Sequence, residues 1–150
     1  MQTAKDIMST KVISVSPEMP VNQLAGILWK NKISGAPVVD KDGQLMGVVT
    51  ESDLIDQTKR IHIPTVVTIL DSFIFLENPG KMDKEIKKMA GSMVKDICTM
   101  NPETIGEDTT IDAIASIMAE KHVHTLPVIK DGQVVGVVGK SDIIKTMTRD

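Results

Sequence analysis

Apolar and polar positions alternate at Val12-Ile13-Ser14-Val15, which predicts a half-buried strand after a short helical lead-in at Lys5 to Met8. Val21, Leu24, Ala25, Ile27 and Leu28 then recur at helical spacing to about Lys30. Ile33 to Val39 is a second strand. Its Pro37 suits an edge or a strand's first residues, because proline lacks the ladder donor. Asp42-Gly43 is a hairpin turn signal, and Leu45 to Val49 follows as a third strand. Ser52-Asp53 reads as an N-cap opening a helix from Leu54 to about Lys59. The order is β-α-β-β-α.

The same order returns in the second half. Lys5-Asp6-Ile7-Met8 recurs as Lys95-Asp96-Ile97-Cys98, and Ala36-Pro37-Val38-Val39 as Leu126-Pro127-Val128-Ile129. Gly47-Val48-Val49-Thr50-Glu51-Ser52-Asp53 recurs as Gly136-Val137-Val138-Gly139-Lys140-Ser141-Asp142. The offset is roughly 90 residues and falls by one before the second Asp-Gly turn. One copy buries too little surface to be stable alone, so the two are expected to share a core. The expected fold is α+β. Repeats at 1–60 and 92–150 flank a helical linker at 61–91.

Composition narrows the function. The chain has 150 residues, a net charge of −3 and Trp29, Phe73 and Phe75 as its only aromatics. There is no basic field for nucleic acid or anionic lipid, and too few aromatics to stack single-stranded bases. Cys98 is the only cysteine, which excludes an intramolecular disulfide and fits a reducing, cytoplasmic setting. No signal peptide or membrane span is expected. The linker's apolar Ile63–Leu76 segment is expected to cover the core or another subunit.

Candidate chemistry is sparse. His122 and His124 flank one strand residue, and His62 is the only further histidine, which is a poor basis for a metal site. Nothing supplies a nucleophile, base and oxyanion site, a phosphate-binding glycine loop or a catalytic cofactor, so no enzyme is expected. The two strand-to-helix corners remain. Asp53 and Asp142 either only cap helices there or also hold the hydroxyls and phosphates of a ligand.

The β-α-β-β-α order, the Pro-Val after the first helix, the Asp-Gly hairpin and the Gly-Val-Val-Thr-x-Ser-Asp corner together resemble a CBS domain. The tandem resembles a stand-alone CBS pair, or Bateman module. The resemblance implies a regulatory sensor that binds AMP, ADP, ATP or S-adenosylmethionine between its repeats, most often as a homodimer acting on an effector protein. It implies that the corner Asp accepts from ribose hydroxyls. The residues before the other repeat's Pro-Val, and the start of its first strand, complete each site.

Carried onto this chain, one cleft combines Thr50, Ser52 and Asp53 with Thr104, His124, Thr125, Leu126 and Pro127. The second, weaker cleft combines Gly139, Ser141 and Asp142 with Ile13, Ser34, Gly35, Ala36 and Pro37. The first keeps a hydroxyl at the corner and an imidazole for an anion. The second has Gly139 in place of the hydroxyl and no cation before Pro37, so the first is the expected occupied site. The competing expectation is a ligand-free interaction module with vestigial clefts.

Overall fold

Each repeat packs its helices on a short antiparallel hairpin, and a segment from the other repeat completes each hairpin. The computed structural model describes residues 2–60 and 92–148. The expected linker helix and its apolar segment lie outside these residues. The elements are α1 (Ala4–Ile7), α2 (Val21–Asn31), β1 (Gly35–Val39), β2 (Leu45–Thr50) and α3 (Glu51–Arg60). They continue with α4 (Val94–Ile97), β3 (Thr99–Met100), α5 (Ile111–Lys121), β4 (Thr125–Lys130), β5 (Gln133–Gly139) and α6 (Lys140–Met147).

The expected first strand of each repeat is reduced to one bridge, and proline is the reason. Val15 N–H donates to Pro37 O at 3.0 Å, and Val39 N–H donates to Val15 O at 3.0 Å. The next rung back would need an N–H on Pro37, which has none. The second repeat repeats this: Ile105 N–H donates to Pro127 O at 3.0 Å and Ile129 N–H to Ile105 O at 2.8 Å, and the missing N–H of Pro127 ends the ladder there. Val15 and Ile105 stay buried, so the apolar alternation is right although the strand is not built.

The hairpins explain the change in offset. β4 and β5 pair up to Lys130↔Gln133, leaving Asp131-Gly132 as a two-residue turn with positive φ at both positions. In the first repeat Asp40 N–H donates to Gln44 O, so three residues lie between the equivalent pair. Asp40 Oδ1 accepts there from the N–H groups of Asp42 and Gln44, both at 2.9 Å.

The sharing of a core takes the form of an exchange. Ala4 N–H donates to Thr109 O at 2.8 Å and Lys5 N–H to Glu107 O at 3.0 Å. Reciprocally, Val94 N–H donates to Met19 O and Lys95 N–H to Pro17 O, both at 2.9 Å. Ala4 is fully buried among Ile114, Leu126, Val128 and Val138 of the second repeat. Val94 is fully buried among Leu24, Ala36, Val38 and Val49 of the first. Each lead-in thus belongs to the core of the opposite repeat.

This exchange gives the motif glycines their role. β3 pairs with β2 at Gly47↔Met100 and Val48↔Thr99, so close that a β-carbon on Gly47 would sit 2.5 Å from Thr99 O. A β-carbon on Gly136 would collide with the Met8 side chain in the same way. Glycine at these two positions is what lets the foreign lead-in dock.

Candidate functional site

The corners form first as helix starts. Thr50, rather than Ser52, caps α3: its N–H donates to Asp53 Oδ2 at 2.8 Å and its hydroxyl to the same oxygen at 3.2 Å. Asp53 N–H in turn donates to Thr50 Oγ1 at 3.3 Å, so the two residues make a reciprocal capping box. The helix therefore begins at Glu51, before the expected Ser-Asp start. At the second corner Gly139 N–H donates to Asp142 Oδ2 at 2.8 Å, without a hydroxyl to answer it. The capping reading of both aspartates is thus correct. It does not exclude the other, because a carboxylate has acceptor capacity on two oxygens.

Each corner is tied to the strand entry of its own repeat. Glu51 N–H donates to Ser34 O at 2.9 Å, and Lys140 N–H donates to His124 O at 3.1 Å. These bonds present Ser34 and His124 beside the helix starts. The repeats then face each other, and two clefts open between them.

The first cleft has a volume of ≈ 620 Å³ and is lined by Thr50, Ser52 and Asp53 together with His124 and Thr125. The second has a volume of ≈ 400 Å³ and is lined by Gly139, Ser141 and Asp142 together with Ile13, Ser34, Gly35 and Pro37. Volumes of this size accommodate a small organic ligand.

Four expected lining residues lie elsewhere. Ala36 and Leu126 are fully buried in the two cores, and Pro127 is buried with them. The first four residues of β1 and of β4 are all buried, and of these Gly35, Pro37 and Thr125 border a cleft while Ala36, Leu126 and Pro127 do not. Thr104 is exposed and does not line the cleft, and Glu103 does. Ile13 aligns with Glu103, so the expectation slipped by one residue, which in an extended segment turns the side chain to the other face.

Several residues were not anticipated. Lys11, Lys32 and Lys140 line the second cleft. Asn101, Glu51, Glu103, Lys121 and His122 line the first. Lys32 and His122 are the C-caps of α2 and α5, in left-handed conformations with φ of 54° and 55°. Such a cap reverses the chain toward the strand and is most often glycine. The clue in the sequence was the alignment of the repeats, which sets Lys32 against His122. Ser34, Thr125 and Lys140 line both clefts and form their common wall.

Cys98 is partly buried against the first core, its Sγ 3.7 Å from Met100 Sδ. Burial, then the negative charge of Asp53, pushes its thiol pKa above the ordinary value. Among the described residues no group of three or more His, Cys, Asp or Glu side chains is arranged to hold a metal. No helix among them is long and apolar enough to cross a membrane.

Comparison with known proteins agrees with this architecture. The CBS domain family model matches residues 4–60 and again 94–149. An uncharacterized protein of Methanocaldococcus jannaschii is 29% identical over 95% of this chain and 89% of its own length. The chloroplastic CBS domain-containing protein CBSX1 of Arabidopsis thaliana is 28% identical over 87% of the chain, which spans 57% of that relative's length. Among solved structures, CBSX2 in complex with AMP superposes with a TM-score of 0.71 at 23% identity, over 98% of this chain and 96% of that one. The CBS domain pair of protein MJ0100, in complex with 5′-methylthioadenosine and S-adenosyl-L-methionine, gives a TM-score of 0.71 at 25% identity, with the same coverage of 98% and 96%. With two matched repeats and the reciprocal packing described above, the chain belongs to the CBS domain family.

Proposed function

We propose that this chain is a regulatory module that binds an adenosine-containing ligand in the clefts between its repeats. The observation that carries the reading is the double corner. Asp53 and Asp142 each stand at a helix start, in a cleft whose opposite wall is the strand entry of the other repeat. One carboxylate accepts from both hydroxyls of a ribose, and each bond to a charged acceptor is worth about 1.5–3 kcal/mol. Apolar lining residues such as Val48 of β2 and Ile13 offer the flat surface an adenine needs. The AMP bound to CBSX2, and the adenosyl compounds bound to the MJ0100 pair, support this ligand class.

The mechanism follows from who supplies each wall. A ligand in either cleft touches both repeats, so its binding free energy fixes the angle between them. Ser34, Thr125 and Lys140 border both clefts, so occupancy of one changes the wall of the other. The change is read by an effector protein. Ile55 and Ile144, at equivalent positions of α3 and α6, are exposed and favour a second copy of the chain as a further partner. Light scattering tests this against the 16.3 kDa chain mass.

The test of ligand binding is a melting curve. AMP, ATP and S-adenosylmethionine at millimolar concentration are added separately, and a ligand that binds only the folded state raises the transition. If none of them moves it, the sensor reading fails and the ligand-free interaction module replaces it.

A further inference from the structure

The two clefts are built alike but charged oppositely. Among the described residues, three lysines and one carboxylate line the second: Lys11, Lys32 and Lys140 with Asp142. In the first, three carboxylates stand against two lysines: Glu51, Asp53 and Glu103 with Lys121 and Lys140. The difference is made position by position. Lys11 aligns with Asn101, Lys32 with His122, Lys140 with Glu51, and Ile13 with Glu103. Each replacement makes the second cleft more positive or the first more negative.

We propose that the second cleft takes the phosphoryl group of a phosphorylated adenosyl ligand, and that the first takes an adenosyl ligand carrying no net negative charge. This rests on the reading that the clefts hold adenosyl ligands, and it assigns which ligand goes where. None of the three lysines of the second cleft is in an ion pair among the described residues, so their charge is not already neutralised. Lys32 stands in a left-handed cap at the cleft although glycine is the residue most often found there. Lys140 is the first residue of α6, where helix-start N–H groups add to the attraction for an anion. In the first cleft a phosphate would meet Glu51, Asp53 and Glu103, which outnumber Lys121 and Lys140 there. A sulfonium or an uncharged thioether meets no such repulsion. The hydroxyl of Thr50, which favoured the first cleft on sequence grounds, serves the helix cap.

The experiment is calorimetric titration of the full chain with AMP, ATP, adenosine and 5′-methylthioadenosine at low ionic strength. The variant is Lys11→Asn with Lys32→His, which gives the second cleft the residues the first already has. Both sites are exposed, and histidine already occupies the matching left-handed cap at His122. The ratio of AMP to adenosine affinity is expected to fall by about tenfold or more, the loss of one or two charge contacts. AMP affinity of the unaltered chain should fall with added salt while that of adenosine holds. An unchanged ratio in this variant, or a collapse of AMP binding in His124→Ala instead, overturns the proposal and moves the phosphate to the first cleft. If none of the four compounds binds the unaltered chain, the adenosyl reading itself is overturned, and this assignment with it.

Discussion

A β-carbon on Gly35 would lie 2.7 Å from Thr125 Oγ1. The two residues hold equivalent places in the two repeats, at the entries of β1 and β4. They meet where the repeats face each other, and both border the second cleft. No side chain fits between them.

Gly35→Ala should therefore push the repeats apart. Overpacking of this kind costs about 1–3 kcal/mol, which lowers the melting temperature by about 2–4 °C per kcal/mol in a chain of this size. Thr125→Ala in the same chain removes the nearest clash and should restore part of the loss. Full restoration is not expected, because Thr50 Cγ2 and Val49 O also lie within 3.0 and 3.1 Å of the added carbon. Equal melting temperatures for Gly35→Ala and the parent would contradict this.

The motif glycines should differ in cost. In Gly47→Ala the new carbon meets backbone, the carbonyl of Thr99, which β3 pairing holds in place. In Gly136→Ala it meets the side chain of Met8, whose sulfur end can rotate away. Chemical denaturation should rank Gly47→Ala as the more destabilised of the two. The reverse order would mean that the lead-in at Met8 is the more rigid.

Asp53 can be separated into its two duties. Asp53→Asn keeps an acceptor for Thr50 N–H and so preserves most of the cap. It removes the charge offered to a ribose, and adenosyl affinity should fall by about ten- to a hundredfold, the equivalent of about 1.5–3 kcal/mol. Asp53→Ala should lose the same affinity and a further ~1 kcal/mol of folding stability. A variant with full stability and full affinity would remove Asp53 from the site.

Cys98 gives a pH signature. Its thiol is held neutral by burial and by Asp53 more strongly in the folded chain than in the unfolded one. Stability from this source is complete below the unfolded thiol's pKa of about 8.5. It is lost as pH rises from there through the folded value, because only the unfolded chain gives up its proton in that window. Denaturation curves at rising alkaline pH should show this loss, and Cys98→Ala should remove it. Alkylation of Cys98 at neutral pH should be slow, and faster in Asp53→Asn, where one of the raising charges is gone.

Much of this architecture was legible because the chain states it twice. The strand, turn and corner signals recur in order, and two weak readings of each element reinforce one another. The clefts were legible where local chemistry fixes them: Asp53 and Asp142 at helix starts, Ser34 and His124 at strand entries. The failures have separate causes. Leu126, Pro127 and Ala36 were read as wall because strand position was known but the burial of both faces was not. The short first strands failed at one missing N–H each, on Pro37 and Pro127. Lys11 and Lys32 were not legible because a charge outside helix and strand has no pattern of its own. Lys11 and Lys32 acquire meaning only when the other repeat shows what could have stood there. The exchange of lead-ins could not be read at all, since either arrangement satisfies the same apolar pattern.

That exchange also dictates how the protein comes into being. During synthesis the first repeat emerges with its core unfinished, because Val94 and β3 have yet to be made. Ala4, meanwhile, waits for β4 and β5, which come near the end of the chain. Neither half can complete itself, so the loops that must close are long, and folding should be slow for so small a protein. It should also be all-or-none, with a single transition for both halves. Cut within residues 61–91, the chain should yield two fragments that are each unstructured alone and regain the native fold only when mixed.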